Sequence, residues 1–410
     1  MDIGINMKTK RYRYSKIFRA IYNFLGFVYS EILIYEDFIH ISLKRTKKTA
    51  ICPKCGSRNQ LTDDWYCRSI RDLDLSSKRC YITFKENRIR CKCGFRGFEK
   101  LDFVRPYARC TIRFEEYIAF LCQKMTLIDV CEITGIDWKT AKKIDKYYIE
   151  KRMIKLDHIT PRRIGIDEIA YDKGHKYLTI VRDLDLNGII WIGLDRKEAT
   201  LDWFFYELGD FKSNQLKVAV VDMWDPYIAS LKKNCPNVQI IIDKFHLIKK
   251  VNEALDEVRK VEFAKASERE RFYMKKKRFM ILKREKNLNE KQKENLKELM
   301  DRNETLYTAY LLKEQISDIL DEDNVTKALD RLSHWKKNVY DSGIKSMIKI
   351  NKTIKKYYYG IMNYFKHKFT NAQSEGFNNK INIVKRRAYG YWDLEYFILK
   401  IFQACGVMGM

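Results

Sequence analysis

Long apolar runs are missing from the sequence. A helix that crosses a bilayer needs about 20 consecutive apolar residues, and the most apolar early stretch, residues 17–35, is interrupted by Arg19 and Glu31. The N-terminus shows no signal-peptide pattern, and the chain shows no repeat of the kind that builds a solenoid. These absences predict a soluble, intracellular protein without a membrane partner, in which residues 17–35 form a buried segment.

Acidic residues are also in short supply. The 54 Asp and Glu stand against 80 Lys and Arg, which gives a net charge of +26 and a pI near 9.4. That balance predicts an anionic partner, with nucleic acid first; a basic ribosomal or membrane-surface protein is the alternative. Hydrophobic residues make up 46% of the sequence, which excludes a disordered chain. A length of 410 residues suffices for about two or three domains.

The cysteines predict a metal site. Because no secretion signal precedes them, the 11 cysteines are expected to be reduced or metal-bound. An N-terminal segment, residues 1–50, ends in a predicted strand, "DFIHISLKR". Six cysteines follow in residues 51–100, where Cys52 and Cys55 in "CPKCG" offer two thiolates on a tight turn. This pattern predicts a zinc-ribbon-like module over residues 51–105.

The second half of the predicted zinc site is irregular. Cys91 and Cys93 in "RCKCGF" are separated by one residue, where zinc ribbons usually have at least two. Either the ribbon is distorted, or Cys67 or Cys80 replaces one ligand. The alternative to zinc is a pair of turns with incidental thiols.

The stretch "MTLIDVCEITGIDWKTAKK" predicts a helix-turn-helix within a DNA-binding domain of residues 106–158. Thr126 caps the first helix, Gly135 makes the turn, and Asp137 caps the second helix. Two packed helices of a linker domain are the alternative. The residues at the start of the second helix, where a recognition helix touches DNA, are Trp138, Lys139, Thr140, Lys142 and Lys143.

From residue 159 to 410 the pattern predicts an α/β domain. The strands "RRIGIDEIA", "YLTIVRDLD" and "GIIWIGLDR" are joined by turns at Lys173-Gly174 and Asn187-Gly188. Two βαβ units with the strands "KVAVVDMW" and "VQIIIDKF" follow. This order predicts a ribonuclease-H-like sheet in which the "VVD" strand lies beside the "GID" strand. No strand signal occurs from His246 to Tyr359, which predicts a helical insertion at about residues 250–365.

Two carboxylates are predicted to meet at one edge of this sheet. Asp167 ends the first strand and Asp222 the fourth, and parallel neighbours bring their carboxyl ends to the same edge. Close carboxylates repel each other unless a cation neutralises them, which favours Mg²⁺ or Mn²⁺. Two such ions can activate a water or a 3′-hydroxyl at a phosphodiester. Glu168 is expected on the opposite face of the strand, and Asp183 and Asp185 are expected to be solvated.

Glu375 is the candidate for a third carboxylate. It lies on a helix predicted from near Asn371 to Tyr389, closed by Gly390. A surface helix with a casual glutamate is the alternative. The apolar stripe that would dock this helix on the sheet consists of Phe377, Ile381, Val384 and Ala388. The polar residues beside Glu375, suited to a phosphate backbone, are Asn378, Asn379, Asn382 and Arg386.

Four blocks in order, "GIDEIAYDKGHKYLTIV", "VVDMWDPYI", "DKFHLIKKVNEALDEVR" and "SEGFNNKINIVKRRAYGY", resemble the DDE transposases of bacterial insertion sequences, specifically the ISL3 family. The resemblance covers residues 160–400 and extends weakly over the N-terminal part, where the family carries a zinc finger. It implies that Asp167, Asp222 and Glu375 are the metal-binding triad, with a helical insertion between the second and third acids. Asp243 and His246 resemble an Asp-x-x-His element with an auxiliary role; a helix N-cap and a packed imidazole are the alternative.

The resemblance implies a DNA transposase of the bacterial cytoplasm and nucleoid. Such an enzyme binds the terminal inverted repeats of its element on double-stranded DNA and catalyses metal-dependent cleavage and strand transfer. A homodimer or larger synaptic assembly is expected, because two ends must be brought together. The alternatives are a DNA-binding regulator with an inert core and a metal-dependent nuclease that does not join strands.

Overall fold

The computed structural model describes the chain in two compact units, Met1–Lys151 and Arg152–Met410. Among the residues it describes, no helix is both long and apolar enough to cross a membrane. Part of the predicted buried segment, residues 17–23, lies outside the described residues, and β2 occupies much of the remainder. The described residues are 10–11, 24–60, 64–370 and 372–409, with backbone alone for 10, 11, 60 and 372–375.

The first unit is built on a mixed sheet of long strands. Its strands are β1 Lys10–Arg11, β2 Phe27–Ile34, β3 Phe38–Arg45, β4 Thr49–Ile51, β5 Arg58–Gln60, β6 Trp65–Leu75, β7 Lys78–Arg90 and β8 Arg96–Phe98. The sheet order is β1-β2-β3-β7-β6, with β8 on β7, while β4 and β5 form a separate hairpin. Because β3 pairs in parallel with β7, the sheet runs across the predicted boundary at residue 50.

Three helices complete the first unit: α1 Ile112–Lys124, α2 Leu127–Thr134 and α3 Trp138–Arg152. Thr126 forms a capping box with Asp129 at the start of α2, and Gly135 ends α2 with φ +69°. The Asp137 carboxylate accepts the backbone N–H of Thr140 at 3.0 Å, which caps α3. The caps and the turn that the sequence predicts are therefore confirmed.

The second unit contains the predicted five-stranded sheet. Its strands are β9 Arg163–Asp172, β10 Lys176–Asp183, β11 Gly188–Leu194, β12 Val218–Val221 and β13 Gln239–Ile242. The order is β11-β10-β9-β12-β13. The first three strands are antiparallel, and β12 is parallel to both β9 and β13. The predicted pairing of the "VVD" strand with the "GID" strand is therefore confirmed.

Helices cover both faces of this sheet. They are α4 Glu198–Leu208, α5 Asp210–Ser213, α6 Asp225–Asn234, α7 Lys244–Lys265, α8 Glu268–Met274, α9 Arg278–Leu282, α10 Glu290–Met300, α11 Glu304–Asp321, α12 Val325–Asp341, α13 Lys345–Lys356, α14 Tyr358–His367, α15 Ala372–Arg387 and α16 Leu394–Cys405. From β13 to α15 the described residues contain helices and no strand, as expected for a helical insertion. Its last helix, α14, packs on β13, where a Cβ on Gly360 would lie 2.6 Å from Ile242.

The two faces of the sheet carry separate cores. Ile164 and Ile166 of β9 point into a large core shared with the helical insertion. Ile169 of β9 and Ile180 of β10 point the other way, against α15 and α16. The alternation of β9 therefore sends alternate side chains to different helical layers. Helix α16, which the sequence analysis does not assign, contributes buried side chains to the second core.

Candidate functional site: a carboxylate centre, a thiol cluster and a helix-turn-helix

Asp167 and Asp222 come together at one edge of the sheet. Asp222 directly follows β12, and Asp167 lies in β9 just beyond Gly165, the last residue that pairs with β12. Asp167 is thus inside its strand rather than at its end, because β9 continues as a hairpin with β10 alone. Ligand atoms of Asp167, Asp222 and His246 all lie within 4.8 Å of one another.

His246 links two acids at the start of α7. Asp243 is the N-cap of that helix, and its carboxylate accepts the N–H of Phe245 at 3.4 Å. The His246 Nδ1 atom lies 3.2 Å from Asp243 Oδ2 and also contacts Asp222 Oδ1. Asp243 therefore has the capping role that the sequence analysis left as an alternative, and His246 also contacts the carboxylate centre.

The electrostatics favour an ion pair between His246 and Asp222. Burial acts to lower the pKa of His246, but the contact with the Asp222 carboxylate and the hydrogen bond with Asp243 outweigh it and raise that pKa to about 10. Burial raises the pKa of Asp222 to about 6, although the contact with His246 opposes this rise. The raised pKa favours the imidazolium form of His246, whose contact with Oδ1 orients the Asp222 carboxylate.

Helix α15 brings its polar face to Asp167. The Nδ2 atom of Asn378 donates to Asp167 Oδ2 at 3.0 Å, and the backbone N–H of Glu168 donates to Asp167 Oδ1 at 2.8 Å. Ile381 is fully buried against the sheet, which fixes the rotation of the helix. Glu375 lies one turn before Asn378 on the same side of the helix backbone, and its side chain lies outside the described part.

The remaining polar residues of α15 stay accessible. Phe377 and Val384 pack against the second core, as the predicted apolar stripe requires. The accessible residues are Asn379 and Arg386, which are exposed, and Asn382, which is half-buried. They extend the polar face along the helix away from Asp167.

Arg182 is a charged residue of the site that the sequence analysis missed. It is buried in β10, and its guanidinium lies 4.8 Å from the centre of the Phe377 ring. Burial lowers the pKa of Arg182, while the charges of Asp167 and Asp243 raise it. An arginine inside the apolar run "LTIVRDL" was the available signal, because a buried charge in a strand needs charged partners.

The carboxylate centre has the donor chemistry of a divalent-cation site. His246 Nδ1 contacts the Asp222 carboxylate, yet among the described residues the buried Oδ1 atom of Asp222 has no hydrogen-bond partner. The Oε2 atom of Glu168, the residue after Asp167, is buried, and none of the described residues donates a hydrogen bond to it. Burial and repulsion by Asp167 both raise the pKa of Glu168. The two carboxylates of Asp167 and Asp222, with ligand atoms within 4.8 Å of each other, suit an oxygen-preferring cation.

Four cysteines form a second centre in the first unit. Cys52, Cys55, Cys91 and Cys93 have their sulfurs within 4.8 Å of one another. The Cys52–Cys93 and Cys55–Cys91 sulfur distances are 3.7 and 3.5 Å. A tetrahedral zinc ion with bonds of about 2.3 Å separates its sulfurs by about 3.8 Å. The Ser57 hydroxyl lowers the pKa of Cys91 to about 6, which favours the thiolate that zinc binds.

The short Cys91–Cys93 spacing is absorbed by a tighter turn. The N–H of Gly56 donates to Cys52 O at 2.9 Å, whereas the N–H of Gly94 donates to Cys91 O at 3.0 Å. The second turn thus closes over one residue fewer. Both glycines have positive φ, +73° and +86°, a conformation that glycine adopts without strain. The ribbon therefore contains all four predicted ligands.

The alternative zinc ligands lie elsewhere in the first unit. Cys80 is buried in the core of the large sheet, and Cys67 is exposed on β6. Neither belongs to the thiol cluster.

The start of α3 presents the predicted recognition residues. Trp138, Lys139 and Lys143 are exposed, and Lys142 is half-buried. Thr140 differs from them, because its hydroxyl donates to the Asp137 carboxylate at 2.7 Å. That residue serves the helix cap, which leaves the aromatic ring and the lysines as the accessible groups of this turn.

Comparison with known proteins agrees with this organisation. A transposase family model of the ISL3 type matches residues 164–401, more than half of the chain. The helix-turn-helix domain of transposase family ISL3 matches residues 99–149. The zinc-finger of transposases IS204, IS1001, IS1096 and IS1165 matches residues 48–93.

Full-length relatives point the same way. The transposase for insertion sequence element IS1001 of Bordetella parapertussis is 30% identical over 368 residues, covering 88% of this chain and 90% of that protein. The transposase for insertion sequence element IS1557 of Mycobacterium tuberculosis is 27% identical over 373 residues, covering 83% and 82%. The resemblance predicted from the sequence is confirmed: this chain belongs to the ISL3 family of insertion-sequence transposases, with a zinc-finger and a helix-turn-helix domain ahead of the transposase domain.

Proposed function

We propose that this transposase is a DDE-type enzyme that binds the terminal inverted repeats of its element, cleaves DNA and joins the 3′-hydroxyl ends to target DNA. Its core would be a ribonuclease-H-like fold, and Asp167, Asp222 and Glu375 would hold two Mg²⁺ or Mn²⁺ ions. The observation that carries this proposal is the meeting of Asp167 and Asp222 with Asn378, one helical turn from Glu375. Three separate segments of the chain thus converge on one point.

The protein residues of this site would act mainly by positioning. Bound cations would supply activation of the attacking oxygen and stabilisation of the leaving oxygen. His246 holds the Asp222 carboxylate and Asn378 holds the Asp167 carboxylate, so that neither must reorganise when substrate arrives. Asn379, Asn382 and Arg386 would contact phosphate oxygens along α15. Arg182 would offset part of the acidic charge from beneath the site.

DNA binding would begin in the first unit. The helix-turn-helix would place the first turn of α3 against DNA, and the zinc ribbon would form part of the same binding unit. Two protomers would synapse two transposon ends, as the joining of paired ends requires, and the enzyme would act on the bacterial nucleoid in the cytoplasm. The net charge of +26 supports a phosphate-dominated interface.

The paired substitution Lys139→Ala and Lys143→Ala is expected to weaken binding to a terminal-repeat duplex and to reduce the salt slope. Each lysine that neutralises a phosphate contributes about one unit to the slope of log K against log salt. Fluorescence anisotropy over a salt series measures both quantities. Lys151→Ala is the control, because Lys151 is exposed on the same helix about 18 Å from Lys139 and about 12 Å from Lys143. If the wild type, the paired variant and Lys151→Ala all show the same salt slope, Lys139 and Lys143 do not contact the DNA phosphates.

The proposed activity is tested with a labelled duplex that carries the terminal inverted repeat flanking the coding sequence, a supercoiled target plasmid and Mg²⁺. The wild-type protein is expected to nick the duplex at its end and to join that end to the plasmid, which a denaturing gel resolves. Binding without nicking would contradict the proposed enzymatic activity and favour a DNA-binding regulator with an inert core. Nicking without joining would favour a nuclease. Sedimentation of the protein–DNA complex reports whether two ends are held together.

A further inference from the structure

Arg196 is held between two aromatic rings at the edge of the catalytic sheet. It lies in the loop between β11 and α4, with its guanidinium carbon 4.2 Å from the ring centre of Tyr177 and 4.6 Å from that of Trp224. Its side chain is 31% exposed. A guanidinium that lies over an aromatic face keeps its N–H groups in its own plane, so contact with a ring does not use up these donors.

The loop around Arg196 is fixed at several points. The indole N–H of Trp224 donates to Arg196 O at 3.0 Å, and the N–H of Asp195 donates to Tyr177 O at 2.8 Å. The Nη1 atom of Arg196 donates to Glu168 Oε1 at 3.3 Å. Backbone and guanidinium are therefore both held before any ligand binds, which reduces the entropy that binding would cost.

The position of Arg196 places it beside the carboxylate centre. Strands β9 and β11 are both antiparallel to β10, so the loop after β11 leaves the sheet at the edge where Asp222 lies. Trp224 follows Asp222 by two residues, and Glu168 follows Asp167 directly. Two of the residues that hold Arg196, Trp224 and Glu168, are thus chain neighbours of the two proposed metal ligands.

The guanidinium retains unused donors. Among the described residues, Glu168 is its hydrogen-bond acceptor, and the Nε and Nη2 atoms have none. Glu168 in turn has a buried Oε2 atom without a donor. A pair made only for fold stability would be expected to saturate these groups by a bidentate contact. The single 3.3 Å bond instead orients the arginine and leaves its fork open.

We propose that Arg196 binds a phosphate of the DNA strand next to the reacting phosphodiester. The planar fork matches two non-bridging oxygens of one phosphate, and the Nε and Nη2 donors of Arg196 are available for them. This proposal rests on the proposed function and adds a phosphate subsite to it. Glu168 is then a positioning residue that acts through Arg196.

The test pairs a protein variant with a neutral phosphate. A series of terminal-repeat duplexes, each with one methylphosphonate near the cleavage site, is titrated with wild type, Arg196→Gln and Arg196→Lys. With intact DNA, Arg196→Gln is expected to lower kcat/KM for cleavage about 10- to 100-fold, the range of a charged hydrogen bond. Arg196→Lys should recover part of this loss, since lysine keeps the charge without the fork.

At one position, the methylphosphonate should weaken both DNA binding and cleavage by the wild type, by a similar factor. At that position it should cause no further loss of binding or cleavage in Arg196→Gln. Arg162→Gln is the control, because Arg162 is exposed next to the start of β9, at the opposite end of the strand pairing, and should show the wild-type pattern. If every methylphosphonate weakens all variants equally, the proposed subsite is overturned. If Glu168→Gln and Arg196→Gln lower kcat/KM equally and no methylphosphonate position acts selectively, the Arg196–Glu168 pair serves fold stability rather than DNA binding.

The binding arm of this scan needs no cleavage. A wild type that binds the duplex but never cuts it would contradict the proposed activity, whereas the methylphosphonate pattern would still decide the role of Arg196. The thermal unfolding midpoint of each variant, measured in parallel, identifies any loss that comes from misfolding.

Discussion

Replacement of Asp222 by asparagine is expected to reduce end cleavage and strand transfer by about 10³-fold or more, because one metal ligand contributes several kcal/mol to stabilisation of the transition state. Asparagine keeps the shape of the side chain but removes the charge that pairs with His246. Binding of the terminal repeat should persist, since the proposed DNA-binding residues of α3 belong to the other unit. Gel assays of cleavage and joining, beside anisotropy for binding, measure the two effects separately.

Asp225 offers a matched control for this substitution. It lies three residues after Asp222 at the start of α6, is 61% exposed, and pairs with Lys356 and Tyr357. Asp225→Asn removes the same charge three residues further along, at the start of α6 and outside the carboxylate centre, so near wild-type activity is expected. A fully active Asp222→Asn protein would contradict the proposed catalytic triad. Equal inactivation of both variants would point to loss of the loop structure.

The meeting of Asp167 and Asp222 could be predicted because the sequence pattern around each residue is local. Asp167 and Asp222 each follow a short apolar run, and the chirality of strand connections limits where those strands can lie. Asn378 could be placed because the apolar stripe of α15 fixes which side faces the sheet. Asp183 differs from its prediction: the turn nearby predicts a solvated carboxylate, but Asp183 is buried and accepts the N–H groups of Asp185 and Leu186.

Contacts between distant segments could not be predicted from the pattern. Arg196 meets Glu168 across 28 residues, and no local periodicity encodes that pairing. The large sheet of the first unit is a similar case, because its parallel β3–β7 ladder joins strands separated by about forty residues. The sequence pattern predicts only the strand at "DFIHISLKR" in the first 50 residues, and the cysteine spacing predicts a separate module after residue 50. Sheet pairing of this kind depends on the whole fold.

Removal of the predicted zinc ion is expected to unfold the ribbon while the rest of the first unit stays folded. The β4–β5 hairpin has strands of three residues each, and the buried core beneath it consists of Ala50, Cys52 and Ile89. So small a core cannot offset the conformational entropy of the turns. Zinc binding contributes about 10–16 kcal/mol in peptides of this kind, which makes the ion the main source of local stability.

Cys93→Ser should therefore release zinc, expose residues 49–60 to limited proteolysis and weaken binding of the terminal repeat. Zinc content by atomic absorption and the protease cleavage pattern are the measurements. Cys67→Ser is the matched control, because Cys67 is an exposed cysteine outside the cluster and was the rival ligand. The wild type and Cys67→Ser should each retain one zinc ion per chain. Retention of zinc by Cys93→Ser together with its loss from Cys67→Ser would show that the short Cys91–Cys93 turn is not a ligand pair, and that the ribbon closes through β6.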